Sequence, residues 1–556
     1  PSIFFFFFYR KKGGHFQIAP DLPDWIRKQI YFPNTNVLIT RFSTDQGVAE
    51  IIDFMPVGEI CNEHVLIRRV TCVKGEIELN MRCAPRFHYG LHKHEVKQEG
   101  ERFFFVDEKG LTMRLMGTVA MRGEGQDVVS RFVLKPDEKA DFIFEQMCGQ
   151  RVSHSDSTDF IDRSLEGTIQ YWKQWVARSQ YRGRWQEVVN RSALVLKLMT
   201  SRKHGSMVAA PTFSFPELVG GDKNWDYRFN WVRDAAFSLY ALIRLGYTEE
   251  AHSFMNWFQE ECYDLSYPGF LRLMYRLDGS LEMTETTLDH FEGYRQSGPV
   301  RIGNAAFDQK QLDIYGELMD SIYLYDKYCQ PISHDFWMKI SQQIDWLADQ
   351  WDQVDEGIWE VRGGQQHFLF SRLMCWVAFD RATRLARKRS FPMHQRWIEE
   401  RDKIYHQIFT DFWDEKRQTF LQRKGGLEVD ASTLLMPLVR FISPTDPKWL
   451  STLQQIEKDL VCGPLVYRYR TDAPTGMNED EGSFSLCSFW YIECLSRSGQ
   501  LEKARVNFEK MLSYANHVGL YSEELGFHGE HLGNFPQAFT HLSLISAAFD
   551  LNRRLG

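Results

Sequence analysis

The sequence predicts a two-part chain, an antiparallel β-sandwich followed by an (α/α)6 barrel. Three observations carry that prediction. The apolar pattern has a period near two up to about residue 150, and a period near 3.6 beyond about residue 183. The first part holds about eight short runs rich in β-branched and aromatic residues, set apart by turn signals. The second holds twelve amphipathic runs joined by alternately short and long connections, the spacing of six consecutive helix hairpins.

At 556 residues there is length enough for two domains. The expected division is a sandwich over 1–150, a linker with one helix over 151–183, and a barrel over 184–556. Strands are expected at 37–42, 49–54, 64–73, 76–83, 102–107, 111–118, 130–134 and 140–147. The run EIELNMRC (76–83) alternates polar and apolar, and Lys74-Gly75 before it reads as a hairpin turn. The linker helix is placed at 164–177. Barrel helices are expected at 185–201, 231–245, 248–262, 312–329, 334–352, 369–388, 391–411, 430–438, 447–460, 482–497, 500–514 and 535–551. Connections such as 245–247 and 498–500 are short enough for antiparallel neighbours. Those at 263–311 and 516–534 are long, polar and glycine-rich, so function is expected on the face that carries them.

Composition narrows the function. The chain is 43% hydrophobic and 25% charged, ordinary for a globular protein. A net charge of −8 argues against nucleic-acid binding. No run reaches the ~18 apolar residues of a membrane helix, and Phe4–Phe8 is too short to span a bilayer. The ten cysteines are scattered without a CxxC pair, which reads as reduced thiols in a cytoplasmic protein. His88, His92 and His94 lie close together in a polar stretch without recognisable ligand spacing, so no metal is expected.

Two stretches concentrate chemistry, GGDKNWDYRFNWVRDAAF (220–237) and GPVRIGNAAFDQKQLDIYGELMD (298–320). Trp225, Asp226, Arg228, Trp231, Arg233 and Asp234 fall within ten residues. Rings that stack on sugars, with carboxylates and guanidinium forks that grip hydroxyls, make a carbohydrate site; the structural alternative is a buried Arg–Asp network at a helix start. Inverting glycoside hydrolysis needs a protonated carboxyl and a carboxylate roughly 6.5–9.5 Å apart. Asp226, Asp234, Glu282, Glu285, Asp289, Asp313, Glu317, Glu479, Asp480, Glu481, Glu523 and Glu524 are the candidates, and spacing alone does not choose among them.

The segments NWDYRFNWVRDAAF (224–237), 298–320, EDEGSFSLCSFW (479–490), LYSEELG (520–526) and LGNFPQAFTH (532–541) together resemble glycoside hydrolase family 15. That family contains glucoamylases, glucodextranases and bacterial trehalases, and the chain most resembles its intracellular bacterial branch. The resemblance implies a β-sandwich before an (α/α)6 barrel and inverting release of glucose from non-reducing ends. It implies Glu317 as general acid and Glu523 as general base, with Glu524 the competing carboxylate and Glu481 a helix-start or ion-pair residue. Arg233 and Asp234 are implied to grip the first sugar between Trp225 and Trp231, with Arg301 as a second guanidinium, and Asp226, Arg228 and Glu524 are expected to bind substrate with them. Gly533, Asn534, Pro536 and Gln537 are expected to shape the last loop.

No cofactor or metal is implied, and the partner is a small saccharide, with a homo-oligomer conceivable. The leading expectation is a glucoamylase-like exo-hydrolase of α-1,4 or α-1,6 glucans that releases β-glucose. An α,α-trehalase of the same family and a catalytically silent sugar-sensing module are the alternatives.

Overall fold

The computed structural model describes residues 13–57, 64–147, 158–261, 270–469 and 481–556. The Phe4–Phe8 run, Cys61, Cys148, Cys262, Glu479 and Asp480 lie outside these residues. The chain forms two compact units, Pro1–Arg178 with Leu288–Gln296, and Ser179–Thr287 with Ser297–Gly556.

The first unit is an antiparallel sandwich. Its strands are β1 (His15–Pro20), β2 (Ile26–Tyr31), β3 (Leu38–Ser43), β4 (Gly47–Phe54), β5 (Val65–Gly75), β6 (Ile77–Ala84), β7 (His94–Glu99), β8 (Arg102–Asp107), β9 (Thr112–Gly117), β10 (Arg122–Glu124), β11 (Asp127–Leu134) and β12 (Lys139–Met147). One sheet runs β1-β6-β11-β10, the other β2-β3-β4-β5-β12-β9-β8-β7. Phe42, Ile51, Leu79, Met81, Phe103, Leu115, Phe132, Phe142 and Phe144 fill the space between them. The next residue along β12, Ile143, points the other way and meets Phe160 and Ile161 of helix α1 (Thr158–Ala177). Strand β12 is thus covered on both faces, so Ala140 to Glu145 are buried without a break rather than alternately. Arg69, paired across the strands with Asp141 at 2.7 and 3.0 Å, also holds Asp162 of α1.

All eight anticipated strands are present; the four not anticipated, β1, β2, β7 and β10, are the four sheet edges. Edge strands carry charge that discourages pairing with other chains, which removes the alternation a sequence reading needs. β7, HEVKQE, is such a case. The expected hairpin at Lys74-Gly75 is corrected. β5 pairs with β4 and β12 while β6 pairs with β1 and β11, so the turn carries the chain from one sheet to the other. Gly75 makes this possible, with φ +72 and its Cα so close to Gln46 O that a Cβ would lie 2.1 Å from it.

The second unit contains twelve helices among the described residues: α2 (Gln186–Met199), α3 (Val232–Leu245), α4 (Thr248–Glu261), α5 (Ile314–Tyr328), α6 (His334–Gln350), α7 (Leu369–Arg389), α8 (Gln395–Asp411), α9 (Leu435–Leu438, led in by a 3₁₀ turn Ala431–Leu434), α10 (Pro447–Leu460), α11 (Ser485–Arg497), α12 (Leu501–Leu512) and α13 (Ala538–Leu555). Odd-numbered helices from α3 to α13 pack side by side and close on themselves through α13 and α3. Even-numbered helices lie outside them. This is the (α/α)6 arrangement. The inner helices are buried nearly all round, as in α7 and α11, whereas α10 buries only one stripe, Trp449, Leu453, Ile456 and Leu460.

Inner helices end abruptly into outer ones. α3 stops at Gly246, whose φ of 92 makes a left-handed cap donating to Leu242 O and Ile243 O. α5 approaches α7 so closely at Gly316 that a Cβ there would lie 2.0 Å from Met374 O. The described cysteines are all free thiols, and no described helix is long and apolar enough to cross a membrane.

Candidate active site

The N-terminal ends of the inner helices converge on a cavity of about 750 Å³. The connection before each inner helix supplies part of its wall. Trp225, Tyr227 and Trp231 come from the segment entering α3, and Arg233 and Asp234 from its first turn. Asn304, Ala306 and Gln309 precede α5, and Trp359, Glu360 and Arg362 precede α7. Arg468, Phe484, Glu523 and Gln537 complete it.

Two carboxylates of this cavity are held from one stretch of chain. Tyr227 donates its hydroxyl to Glu523 Oε1 at 2.5 Å. Four residues later, Trp231 Nε1–H donates to Glu360 Oε1 at 2.8 Å, and Arg233 Nη2 donates to the same oxygen at 3.0 Å. The Tyr227 and Trp231 rings meet edge to face at 5.4 Å, so they separate the two acids. Glu360 has φ +55, a left-handed backbone unusual for a residue with a Cβ. Such conformations persist where surrounding packing enforces them, and they cluster at functional sites.

Arg233 is surrounded by acids. Besides Glu360 it reaches Asp313 at 3.4 Å and Asp234 at 3.7 Å, and it donates to Gln311 at 2.8 Å. Burial raises Asp234 to about 7 despite the guanidinium. Asp313 is raised by burial too. One guanidinium does not offset the burial of this group, and both Asp234 and Asp313 stay above the usual carboxylate range.

Glu523 is raised first by burial and then by the charge of Glu217; the Tyr227 hydroxyl and Arg468 pull it back down. Its Oε2 is buried without a hydrogen-bond partner among the described residues. Gly533, at φ +69, backs onto this oxygen, and a Cβ there would lie 2.5 Å away. Glu524 points elsewhere. Ser483–Phe484, Glu524–Leu525 and His531–Leu532 form a small ribbon, and consecutive residues of a strand face opposite ways. Glu524 accepts Gly482 N–H at 2.9 Å and lies 3.3 Å from Arg468.

Arg468 also binds Glu481 at 2.7 Å and Glu217 at 3.1 Å, and Lys223 binds Glu481 at 2.8 Å. Glu217, Glu481 and Glu524 bring three carboxylate oxygens within 4.8 Å of one another. Arg468 and Lys223 already supply the positive charge a cation would bring.

Several expected residues are not where the sequence put them. Glu317 does not line the cavity that holds Glu523. It sits in the first turn of α5 and faces a second cavity of about 1120 Å³ inside the helix ring, which runs from residues such as Phe237 and Met374 to Lys327, Arg384 and Arg497 nearer the helix C-termini. Burial and the charge of Asp313 push it well above the usual carboxylate range. Asp226 and Arg228 do not line the cavity either. Asp226 accepts from Arg228 N, Nε and Nη2 at 3.1, 2.8 and 2.6 Å, and from Gly303 N at 3.1 Å. Arg228 lies 4.1 Å over the Phe213 ring. This is the buried Arg–Asp network weighed as the alternative for the cluster. Arg301 is tied to Asp222 O at 2.5 Å and Glu285 at 3.4 Å, and Arg362, 4.1 Å over Trp225, lines the cavity instead.

Among the cavity residues that sequence reasoning did not single out are Glu217, Tyr227, Trp359, Glu360, Arg362 and Arg468. A signal for Glu360 exists in GIWEVRGG (357–364), a Trp-Glu pair between glycines. It lies in a connection that enters an inner helix, as do those before residues 231 and 312.

The sequence model of the family described as glycosyl hydrolases family 15 matches residues 183–549. The chain belongs to glycosyl hydrolase family 15. It is a glycoside hydrolase, and a second model, described as trehalase-like N-terminal, matches residues 1–172. Relatives share its full length. A trehalase of Mycobacterium tuberculosis is 33% identical over 584 residues, 100% of this chain and 85% of that protein. A trehalase of Thermoplasma acidophilum is 35% identical over 560 residues, 99% of this chain and 94% of that protein. The crystal structure of a bacterial glucoamylase complexed with acarbose shares the fold, with a TM-score of 0.73 at 14% identity, covering 95% of this chain and 86% of that one.

Proposed function

We propose that this family 15 enzyme is an inverting α,α-trehalase, with Glu523 as general base and Glu360 as general acid. The observation that carries the reading is the pair of unlike carboxylates lining one cavity, in a chain whose full-length relatives are named trehalases. The glucoamylase-type reading favoured by the sequence has a likeness of fold behind it; the trehalase reading has likeness of sequence along both units.

The chemistry follows from the two environments. Glu523 Oε1 is fixed by the Tyr227 hydroxyl, which leaves Oε2 to take a proton from an attacking water. Glu360 stands beyond the Trp231 ring with its Oε1 held by two donors, which leaves its other oxygen to protonate the glycosidic oxygen. Asp234, raised to about 7 by burial, belongs to the same Arg233-centred cluster as Glu360. Arg233 and Asp234 are suited to the hydroxyls of the reacting sugar, while Trp225, Trp231 and Trp359 offer apolar faces. The cavity's lining of aromatic faces with a few convergent carboxylate and guanidinium groups suits a small, hydroxyl-rich ligand such as a disaccharide.

Inversion at a 1,1-linked disaccharide has a distinctive outcome. The attacked glucose leaves as the β anomer, and the other keeps its α configuration. Proton NMR of trehalose hydrolysis at early times is expected to show α- and β-glucose in equal amounts. Hydrolysis of maltose or isomaltose with trehalose left intact would return the reading to a glucoamylase-type enzyme.

A further inference from the structure

Outside the cavity, the first unit brings together His88, His92 and Asp107, with one ligand atom from each within 4.8 Å of the others. We infer that these three side chains form a site for a divalent transition-metal ion of the zinc class, on the sandwich. The sequence reading singled out the histidines but expected no metal, because the third group, Asp107, comes from the end of β8 and not from the histidine-rich stretch. His94, the third histidine of that stretch, is turned away and bonds Gln126 O at 2.8 Å.

Distances decide between a metal site and a plain hydrogen-bonded cluster. Asp107 Oδ2 lies 3.2 Å from His88 Nε2 and 3.4 Å from His92 Nδ1. Charge-assisted hydrogen bonds settle at about 2.7–2.9 Å, so both contacts are long for that purpose. Ligands about 2.0–2.1 Å from a tetrahedral ion stand roughly 3.3–3.4 Å apart; the His92 contact has this length and the His88 contact is about 0.1 Å shorter. The donor set of two imidazoles and one carboxylate is a zinc-class set, and it leaves a fourth position for water.

The surroundings hold the donors ready. Asp107 is fully buried, and its Oδ1 accepts Lys109 N at 2.8 Å and Leu111 N at 2.9 Å, which aims Oδ2 at the histidines. His88 and Tyr89 both take left-handed backbone, with φ 46 and 61. The Tyr89 carbonyl is pinned by His290 Nε2 at 2.7 Å, from the Leu288–Gln296 segment of the same unit. The two imidazole rings come within 4.1 Å, while His88 stays 41% exposed and gives an ion a way in.

The test is zinc titration of the full, untagged chain by isothermal calorimetry, with cobalt as a spectroscopic probe. About one equivalent of zinc is expected to bind, with visible cobalt ligand-field bands and a raised thermal midpoint. His88→Gln and His92→Gln are each expected to weaken binding at least tenfold. Asp107→Asn, which keeps the Oδ1 acceptor, does the same. His94→Gln leaves binding unchanged. The proposal is overturned if no saturable uptake is seen, or if the His88→Gln/His92→Gln double variant, folded by its metal-free thermal midpoint, takes up zinc as the parent does.

Discussion

The two ends of the inner helix ring differ in a way that size and electrostatics alone would misreport. The C-terminal end has the larger cavity, about 1120 Å³ against about 750 Å³. It also faces Glu317, an acid pushed far above its ordinary range. The N-terminal end nevertheless assembles the sugar-type constellation. The cause lies in the connections. At the C-terminal end, inner helices pass to outer ones through short links such as 246–247, 329–333 and 498–500. At the other end, the stretches 262–313, 351–368, 461–484 and 513–537 bring in side chains from well-separated parts of the sequence. Burial makes a perturbed acid; only long connections bring different acids together around a substrate.

Four substitutions sharpen this contrast. Glu523→Gln is expected to have the largest effect, lowering kcat on trehalose by about a hundredfold to ten-thousandfold while ligand binding survives. Normal turnover in that variant would remove Glu523 as the base. Glu360→Gln is expected to cost about a hundredfold on trehalose and far less on α-glucosyl fluoride, whose leaving group needs no proton; an equal loss on both substrates would speak against an acid role.

Tyr227→Phe should lower kcat about tenfold and move the acid limb of kcat/KM to higher pH. The sign follows from the hydrogen bond, which favours ionised Glu523. Losing it raises the pKa of the base, which then ionises only at higher pH. An unmoved limb would show that the hydroxyl does not act on Glu523.

Glu317→Gln should change kcat less than about threefold, because the acid faces away from the cavity. Its effect should appear in stability against pH. The native chain keeps the Glu317 proton above about 4.3, where the unfolded chain loses it, so this group makes stability fall as pH rises. Gln does not titrate, and thermal midpoints of the variant measured between pH 5 and 8 should depend less on pH. A kinetic loss matching that of Glu360→Gln would restore Glu317 as the acid.

Much of the fold was legible because long, strongly periodic segments announce themselves. All twelve barrel helices and all eight interior strands were anticipated, since each buries a stripe or face that the sequence must write in apolar residues. The edges β1, β2, β7 and β10 were not, because an edge strand has less to bury. The site was half legible. Trp225, Trp231, Arg233, Asp234 and Glu523 line the cavity. Asp226 and Arg228 have the same composition as site residues, and only three dimensions show that they bind each other. Glu360 was overlooked because one glutamate in a loop has no period. What distinguishes it is a left-handed backbone and the convergence of Trp231 and Arg233 upon it.

The five residues from Tyr227 to Trp231 touch both carboxylates, one at each end. They act as a gauge bar whose length is held by their packed backbone and two interlocked rings. A loop that breathes carries its own end of such a bar but does not stretch it. Stereochemical outcome depends on the gap between acid and base, so on the proposed roles this enzyme's anomeric fidelity is set by a ruler of five consecutive residues. Its tolerance for different sugars is left to the surrounding loops, which can vary without resetting that gap.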